Sequence, residues 1–224
     1  MQPQRTGRLS LEDCTWRKDL SWEGEPVLSF SICFPKYPDT GRGLRRMGRY
    51  YRQVADTWRA RWEGPLYQAA CTAAQEARAT SRPFSPWTCS LTWQTTFQSE
   101  DMISLCLDAA ERTGGSHVLT LRQGDTWLLP EGTPLPLSAL FPGRRWRAQV
   151  LGQVRHQISA RLASGSSLFF PGWQKLCASR FDPDRFFLTE EGPVVFYPMY
   201  SIAPYVEGIP TFPLSVPDGT GSSS

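Results

Sequence analysis

The stretch FFLTEEGPVVFYPMYSIAPYVEGIP, residues 186–210, decides the fold of this 224-residue chain. Two apolar runs flank the sequence EEG at 190–192, and several prolines follow them. Apolar runs on either side of a short glycine-containing turn are typical of a β-hairpin. The prolines then predict an irregular crossing that leads to a last strand at TFPLSV, residues 211–216.

The aromatic residues of this stretch include the candidate ligand-binding residues, which are Tyr197, Tyr200 and Tyr205. Tyrosine offers a large rigid face and a polar tip, which suits a binding surface. The same rings could instead close the bottom of a hydrophobic core, tied in place by the prolines. The sequence favours the core role and leaves the binding role open.

Helical periodicity begins at Gly43. Apolar residues then recur every three or four positions, at Leu44, Met47, Tyr51, Val54, Trp58 and Trp62. This spacing predicts a long amphipathic helix, with a kink or break at Gly64-Pro65 before the helix continues. A second long helix is predicted at about 144–162, with a buried face lined by Trp146, Val150, Val154, Ile158 and Leu162.

Arginines lie off the apolar faces of both predicted helices: Arg45, Arg49, Arg52 and Arg59 on the first, and Arg145, Arg147, Arg155 and Arg161 on the second. Such stripes could grip the phosphates of nucleic acid or of another polyanion. Acidic residues are interleaved with the first stripe, and the net charge of the chain is only +3. A solvated helix face is therefore the favoured interpretation.

Strands are predicted at 27–34, 87–97, 102–111, 117–123 and 126–130, the last two joined by a turn at Gly124-Asp125. The short connections favour antiparallel pairing. The predicted fold class is α+β, with antiparallel β-sheet(s) and two long helices packed on one face. The predicted organisation is an N-terminal arm at 1–26, an N-terminal half at 27–112, a C-terminal half at 113–216 and a disordered tail at 217–224.

No local pattern of catalytic residues stands out in the sequence. His117 and His156 are the two histidines, and neither has a nucleophile at a recognisable spacing. The carboxylates of Asp182 and Asp184 could hold calcium, but the Asp-Pro-Asp sequence is typical of a turn. We expect no enzyme, no metal site and no cofactor. A hydrolase whose site is assembled from distant residues is the alternative.

Six cysteines are scattered without any CxxC pair, which disfavours a zinc site or a thioredoxin-type motif. The sequence has no apolar run of about 20 residues and no signal-peptide-like start. The expected location is cytoplasmic as the sequence is written, and extracytoplasmic if the true start lies upstream. Reduced and mostly buried thiols are the corresponding expectation.

Four segments together resemble a known family: TGGSH at 113–117, PLPLSALFP at 134–142, RFFLTEEGPVVFYPMYSIAPYVEGIP at 185–210, and TFPLSV at 211–216. They look like the extracytoplasmic, lysozyme-sensing domain of RsiV-type anti-sigma factors. The same module is the accessory domain of PdaC-type peptidoglycan deacetylases, in a paired family of unknown function. Ala139 and Ser201 depart from the family pattern, which carries acidic residues at both positions.

The resemblance implies a non-catalytic binding or sensor-like module whose ligand is a protein such as lysozyme or a cell-wall glycan such as peptidoglycan. RsiV-type proteins join this module to a sigma-binding segment and a membrane helix. The sequence shows neither, so we do not expect a complete transmembrane anti-sigma factor. Polyanion or nucleic-acid binding through the arginine-rich helix faces is the alternative to this function, together with the hydrolase.

Overall fold

The computed structural model describes residues 9–115 and 117–217. Contacts group them into two compact units. The first unit holds the described residues up to Gln94 together with Leu107–Leu121 and Pro130–Gly132. The second holds Thr95–Cys106, Arg122–Leu129 and the described residues from Thr133 onward. The predicted tail from residue 218 and the first eight residues of the predicted arm lie outside the described residues.

Helices and strands are mixed along the chain, which confirms the predicted α+β class. The strands are β1 (Glu12–Trp22), β2 (Glu25–Lys36), β3 (Trp87–Gln98), β4 (Met102–Arg112), β5 (Val118–Leu128), β6 (Thr133–Pro134), β7 (Phe186–Thr189), β8 (Gly192–Phe196) and β9 (Thr211–Pro213). The α-helices are α1 (Arg42–Arg61), α2 (Tyr67–Ala79), α3 (Trp146–Ala163) and α4 (Trp173–Ser179). One sheet has the strand order β1-β2-β3-β4-β5-β6, and the other has the order β7-β8-β9.

Strand β1 corrects the prediction of a poorly packed arm. It pairs antiparallel with β2 along its whole length. The connecting residues Glu23 and Gly24 both have positive φ, 49° and 86°, as a tight hairpin turn requires. An edge strand has few buried side chains, and those of β1 alternate between half-buried and exposed over most of its length. This explains why its sequence reads as polar.

One strand pair of the larger sheet corrects the antiparallel prediction. Residues Leu28–Ile32 of β2 run parallel to Trp87–Leu91 of β3. Parallel neighbours need a long crossover connection, and α1 and α2 lie in that connection. Between the two helices, Trp62–Leu66 form a π-helical turn that contains Pro65. The chain therefore stays helical through the predicted break.

The first unit is held together by α1 packed on β2. The buried face of α1 includes Met47 and Tyr51, as the apolar spacing predicted, and also Ala55. The ring of Tyr37 stacks on that of Tyr51, with centroids 5.7 Å apart and planes 4° from parallel. Each fully buried large side chain contributes about 1.5–3 kcal/mol through the hydrophobic effect.

Strand β5 runs straight through Gly124, where the sequence predicted a turn. A Cβ atom at Gly124 would collide with the backbone carbonyl of Phe186 and lie 3.2 Å from the ring of Phe196. Glycine is required here because another stretch of backbone approaches closely, and not because the chain reverses. The predicted turn at Gly124-Asp125 is therefore wrong.

The second unit contains the predicted hairpin. Strands β7 and β8 pair antiparallel up to Thr189↔Gly192, which confirms the turn at 190–192. Strand β9 extends this sheet by pairing with β8. Val150, Val154 and Ile158 of α3 are fully buried, as predicted, and share a core cluster with side chains of this sheet. Leu162, which was also predicted to be buried, is 38% exposed.

A buried hydroxyl fastens β7 in place within the second unit. The Leu188 N–H donates a hydrogen bond of 2.9 Å to Ser104 Oγ, and Ser104 Oγ lies 2.9 Å from Thr126 Oγ1. Cys106 joins Phe187 in a small apolar cluster of the same unit. Among the helices of the described residues, none combines the length and apolar character that a bilayer-spanning segment needs.

Candidate binding surface

Tyr197, one of the three candidate ligand-binding tyrosines, is a core residue. It is 1% exposed, and its hydroxyl donates a 2.8 Å hydrogen bond to the backbone oxygen of Cys177. Its ring packs edge-to-face on Phe212, with centroids 5.8 Å apart. Burial raises the pKa of the Tyr197 phenol. The structure therefore corrects its assignment as a ligand contact and favours the core role that was its alternative.

Tyr200 has the opposite environment. Its side chain is 65% exposed. It sits in a turn that is closed by the N–H and the hydroxyl of Ser201, both donating to the Pro198 oxygen at 3.1 and 2.6 Å. Its φ of +61° lies in the left-handed region, which costs a bulky residue about 1–3 kcal/mol. The fold thus maintains a strained backbone that directs an aromatic ring into solvent.

Two hydrogen bonds join the loop before α4 to the loop that carries Tyr200. The Leu168 N–H donates to Glu207 Oε1 at 2.7 Å. The Phe170 N–H donates to the Ile202 oxygen at 3.0 Å. The rings of Phe170 and Tyr200 also meet edge-to-face, with centroids 5.1 Å apart. The two loops therefore hold each other in one arrangement.

These loops present a set of apolar side chains that we call the loop patch: Leu168, Phe170, Tyr200, Tyr205 and Val206. Leu168 is 57% exposed and Val206 is 76% exposed. Tyr205 is half-buried at the start of a short 3₁₀ turn, Tyr205–Glu207. Exposed apolar side chains held in a fixed arrangement mark interaction surfaces, because little conformational entropy remains to be lost on binding.

Leu168, Phe170 and Val206 were missed by the sequence reading. The signal for the first two is the apolar run LFF at 168–170, which stands inside a loop otherwise rich in Gly, Ser and Pro. Apolar residues in such a loop lie outside any strand or helix, so no periodic pattern assigns them to the core. Their juxtaposition with Tyr200 depends on contacts between positions about 30 residues apart, which no local pattern reveals.

The histidines and paired aspartates do not form a recognisable site. His117 and His156 are both exposed and belong to different compact units. Asp182 accepts a 3.1 Å hydrogen bond from the Asp184 N–H and pairs with Arg185 at 3.4 Å, which is the turn that the sequence predicted. Within residues 9–115 and 117–217, no three His, Cys, Asp or Glu side chains come together as metal ligands would.

The arginine stripe of α3 is largely engaged in packing within the second unit. Arg161 donates to the Thr211 oxygen at 2.9 Å and lies 4.8 Å from the ring centroid of Phe212. Arg147 lies over the ring of Phe181 at 5.2 Å. These contacts orient the guanidinium groups toward the protein, so this face is a poor candidate for polyanion binding.

On α1, the last arginine of the stripe is also engaged. Arg59 pairs with Asp56 at 2.9 Å and lies 4.9 Å from the ring centroid of Trp16. Arg52 lies over the same ring at 5.2 Å. Cation–π contacts of this kind contribute about 0.5–1 kcal/mol at exposed sites.

A buried carboxylate, missed by the sequence reading, lies beneath the helices of the first unit. Glu111 is 3% exposed and accepts hydrogen bonds from Arg61 Nε at 2.7 Å, Arg61 Nη2 at 2.9 Å and Trp62 Nε1 at 2.8 Å. Burial raises the pKa of Glu111, but the hydrogen bonds from Arg61 and Trp62 outweigh it and hold the pKa below its ordinary value.

Cys89 is the thiol associated with this carboxylate. Burial, reinforced by the charge of Glu111, raises the pKa of Cys89 to about 12. A nucleophilic cysteine needs a lowered pKa, so this thiol is not activated at neutral pH. The arrangement of Arg61, Trp62 and Glu111 is therefore structural, since both carboxylate oxygens of Glu111 accept hydrogen bonds that tie the end of α1 to β4.

The fold and these surfaces define a mixed α+β module that carries an exposed apolar loop patch. Residues 140–216, about a third of the chain, match a family model described as "Protein of unknown function (DUF3298)". The matched residues include the whole loop patch and the hairpin. No curated protein matches the chain.

Two solved structures share the fold over nearly the whole chain. A DUF3298 family member from Bacteroides fragilis has a TM-score of 0.66 and 14% identity, over 92% of this chain and 90% of that one. A DUF3298 family protein from Pseudomonas aeruginosa has a TM-score of 0.57 and 18% identity, over 93% of this chain and 89% of that one. At these identities the similarity establishes a shared architecture.

Proposed function

We propose that this chain is a non-catalytic binding module that captures a protein ligand of the lysozyme type through its loop patch. The observation that carries the proposal is the exposed ring of Tyr200, which is 65% accessible on a backbone with φ of +61°. Strained and exposed residues of this kind cluster at binding sites, where the strain is offset by the surrounding structure.

The composition of the loop patch supports a protein ligand. Aromatic side chains are enriched among the residues that dominate protein interfaces, and they contribute most where a rigid neighbour excludes water. Tyr200 meets this condition because Phe170 supports its ring at 5.1 Å. The RsiV-type resemblance supplies lysozyme as the first ligand to test. A cell-wall glycan is the second, because sugar rings also stack on aromatic faces.

The absence of catalysis is part of the proposal. Two observations support it: both histidines are exposed, and the pKa of Cys89, the cysteine beside a buried carboxylate, is raised. An acid, base or nucleophile usually needs a partner within hydrogen-bond reach.

Isothermal titration of the chain with hen egg-white lysozyme and with soluble peptidoglycan fragments tests the proposal. We expect binding to lysozyme, and we expect Tyr200→Ala to weaken it by roughly 30-fold, the effect of losing an interface hot spot worth about 2 kcal/mol. Leu119→Ala is the matched control. Leu119 is also an exposed apolar residue, at 47%, but it belongs to the first unit.

Binding to peptidoglycan fragments alone, with the same loss in Tyr200→Ala, would replace lysozyme by a glycan ligand at the same patch. An affinity for lysozyme that Tyr200→Ala and Leu119→Ala leave equally unchanged would refute the role of the patch. Lack of binding to both ligands at low and physiological salt would refute the function.

A further inference from the structure

A solvent-accessible cavity of about 640 Å³ lies in the first unit, and none of the loop-patch residues lines it. Its walls come from the end of β2 and the loop after it, residues 34–39, and from α1 between Leu44 and Arg52. Sites for small molecules are typically clefts of about 300–1,000 Å³. The cavity therefore has the size of a small-ligand site.

The charge of the cavity walls is positive. Four basic side chains line it: Lys36, which is paired with Glu12 at 3.0 Å, and Arg45, Arg49 and Arg52. The three arginines are four and three residues apart on α1, so they project from one face of the helix. Asp39 is the acidic residue of the lining, and its carboxylate reaches Arg45 only at 4.0 Å. The walls thus carry more positive than negative charge, which favours an anion.

The remaining walls of the cavity are apolar and rigid. They are formed by Phe34, Pro35, Tyr37, Pro38 and Leu44. The prolines fix the backbone of the loop, and the Tyr37 ring is stacked on the buried ring of Tyr51. A ligand that fills the cavity must therefore present an apolar body as well as a negative group.

We infer that this cavity binds a small organic anion, in which a phosphate, sulfonate or carboxylate group is attached to an apolar ring or chain. The anionic group would lie against Arg45, Arg49 and Arg52, and the apolar body would lie against the proline-containing loop. A long polyanion fits less well. The stripe does not continue to Arg59, whose guanidinium is neutralised by its ion pair with Asp56 at 2.9 Å.

Anilinonaphthalene sulfonate is a suitable probe, because it combines an anionic group with aromatic rings and fluoresces when it leaves water. We expect saturable binding of one probe per chain that weakens as salt is added. The variant Arg49→Glu places a negative charge in the cavity wall and should lower the affinity by roughly tenfold or more. Arg46→Glu is the matched control, since Arg46 is also exposed on α1 but does not line the cavity.

A second measurement locates the probe on the chain. Cys14 lines the cavity and is half-buried, whereas the half-buried Cys71 does not line it. Bound probe should slow the alkylation of Cys14, measured by peptide mass spectrometry, and leave that of Cys71 unchanged. The variant Tyr200→Ala should retain both results, because the loop patch belongs to the other unit.

Three results would overturn the inference. Equal losses of affinity in Arg49→Glu and Arg46→Glu would show attraction to net charge alone. Unchanged affinity in Arg49→Glu, with thermal unfolding like that of the parent, would place the probe elsewhere, as would a lack of protection at Cys14. Displacement of the probe by inorganic phosphate as effectively as by phenyl phosphate would show that the apolar walls of the cavity contribute nothing to binding.

Discussion

Replacing Glu111 by Gln tests how much the buried carboxylate holds the first unit together. Glu111→Gln keeps the shape of the side chain but removes its charge. The amide can still accept from Arg61 or Trp62 through its oxygen, whereas its NH₂ group would face a guanidinium donor. Hydrogen bonds to a charged group contribute about 1.5–3 kcal/mol each, and Arg61 is 47% exposed and can turn to water.

We therefore expect a loss of about 2 kcal/mol in the free energy of unfolding at pH 7. Urea unfolding followed by tryptophan fluorescence would show it as a fall of roughly 1 M in the midpoint, since the urea dependence is about 1–3 kcal/mol per molar. Glu63→Gln is the control. Glu63 forms a more exposed ion pair with Lys18 at 2.9 Å, so its loss should cost well under 1 kcal/mol.

The pH dependence of the stability of the parent and of Glu111→Gln gives an independent test. The pKa of Glu111 is lower in the folded chain than in the unfolded chain. The contribution of the Glu111 charge to the free energy of unfolding is therefore complete above the pKa of about 4.3 in the unfolded chain. It is lost as the pH falls through the pKa in the folded chain. The stability difference between the parent and Glu111→Gln should shrink below about pH 4. Equal stabilities at pH 7, or a difference that persists unchanged at pH 3, would refute this account.

Three further results are expected. Gly124→Ala should destabilise the chain by about 3 kcal/mol in urea unfolding, because the new Cβ meets the Phe186 backbone, whereas Gly152→Ala on the open side of α3 should stabilise it by about 0.5–1 kcal/mol. A stable Gly124→Ala would disprove the close approach. Tyr197→Phe should cost about 1 kcal/mol in the same assay, through the lost hydrogen bond to Cys177, and no cost would show that bond to be weak. Burial and a raised pKa should make Cys89 resist iodoacetamide at pH 8 while Cys71 reacts, and equal alkylation rates by peptide mass spectrometry would contradict this.

Features set by neighbouring residues could be predicted from the sequence. The spacing of Met47 and Tyr51 identified the buried face of α1, and the sequence EEG at 190–192 located the hairpin. Strand β1 was missed although it carries a period-two signal. Cys14, Trp16, Leu20 and Trp22 are its half-buried residues and occupy alternate positions, but a polar residue at position 18 interrupts the pattern.

Features set by distant residues could not be predicted. Gly124 has the local appearance of a turn residue, and its true role depends on Phe186, 62 positions away. Glu111 meets Arg61 across 50 positions, and nothing in the sequence around either residue marks the pair. The parallel pairing of β2 with β3 was likewise missed, because the intervening helices are long enough to permit a parallel crossover but do not require one.

The hydrogen bond between Leu188 and Ser104 limits how the chain can be divided for experiments. The segment matched by the family model, 140–216, contains Leu188 but neither Ser104 nor Cys106. A gene fragment trimmed to those limits would leave a strand amide without its acceptor and would uncover the ring of Phe187. A fragment intended to fold alone needs Thr95–Cys106 and Arg122–Leu129 as well. The boundaries of the family match therefore show which residues can be aligned with relatives. They do not coincide with the boundaries of a fragment that would fold, so expression vectors should not be designed from them.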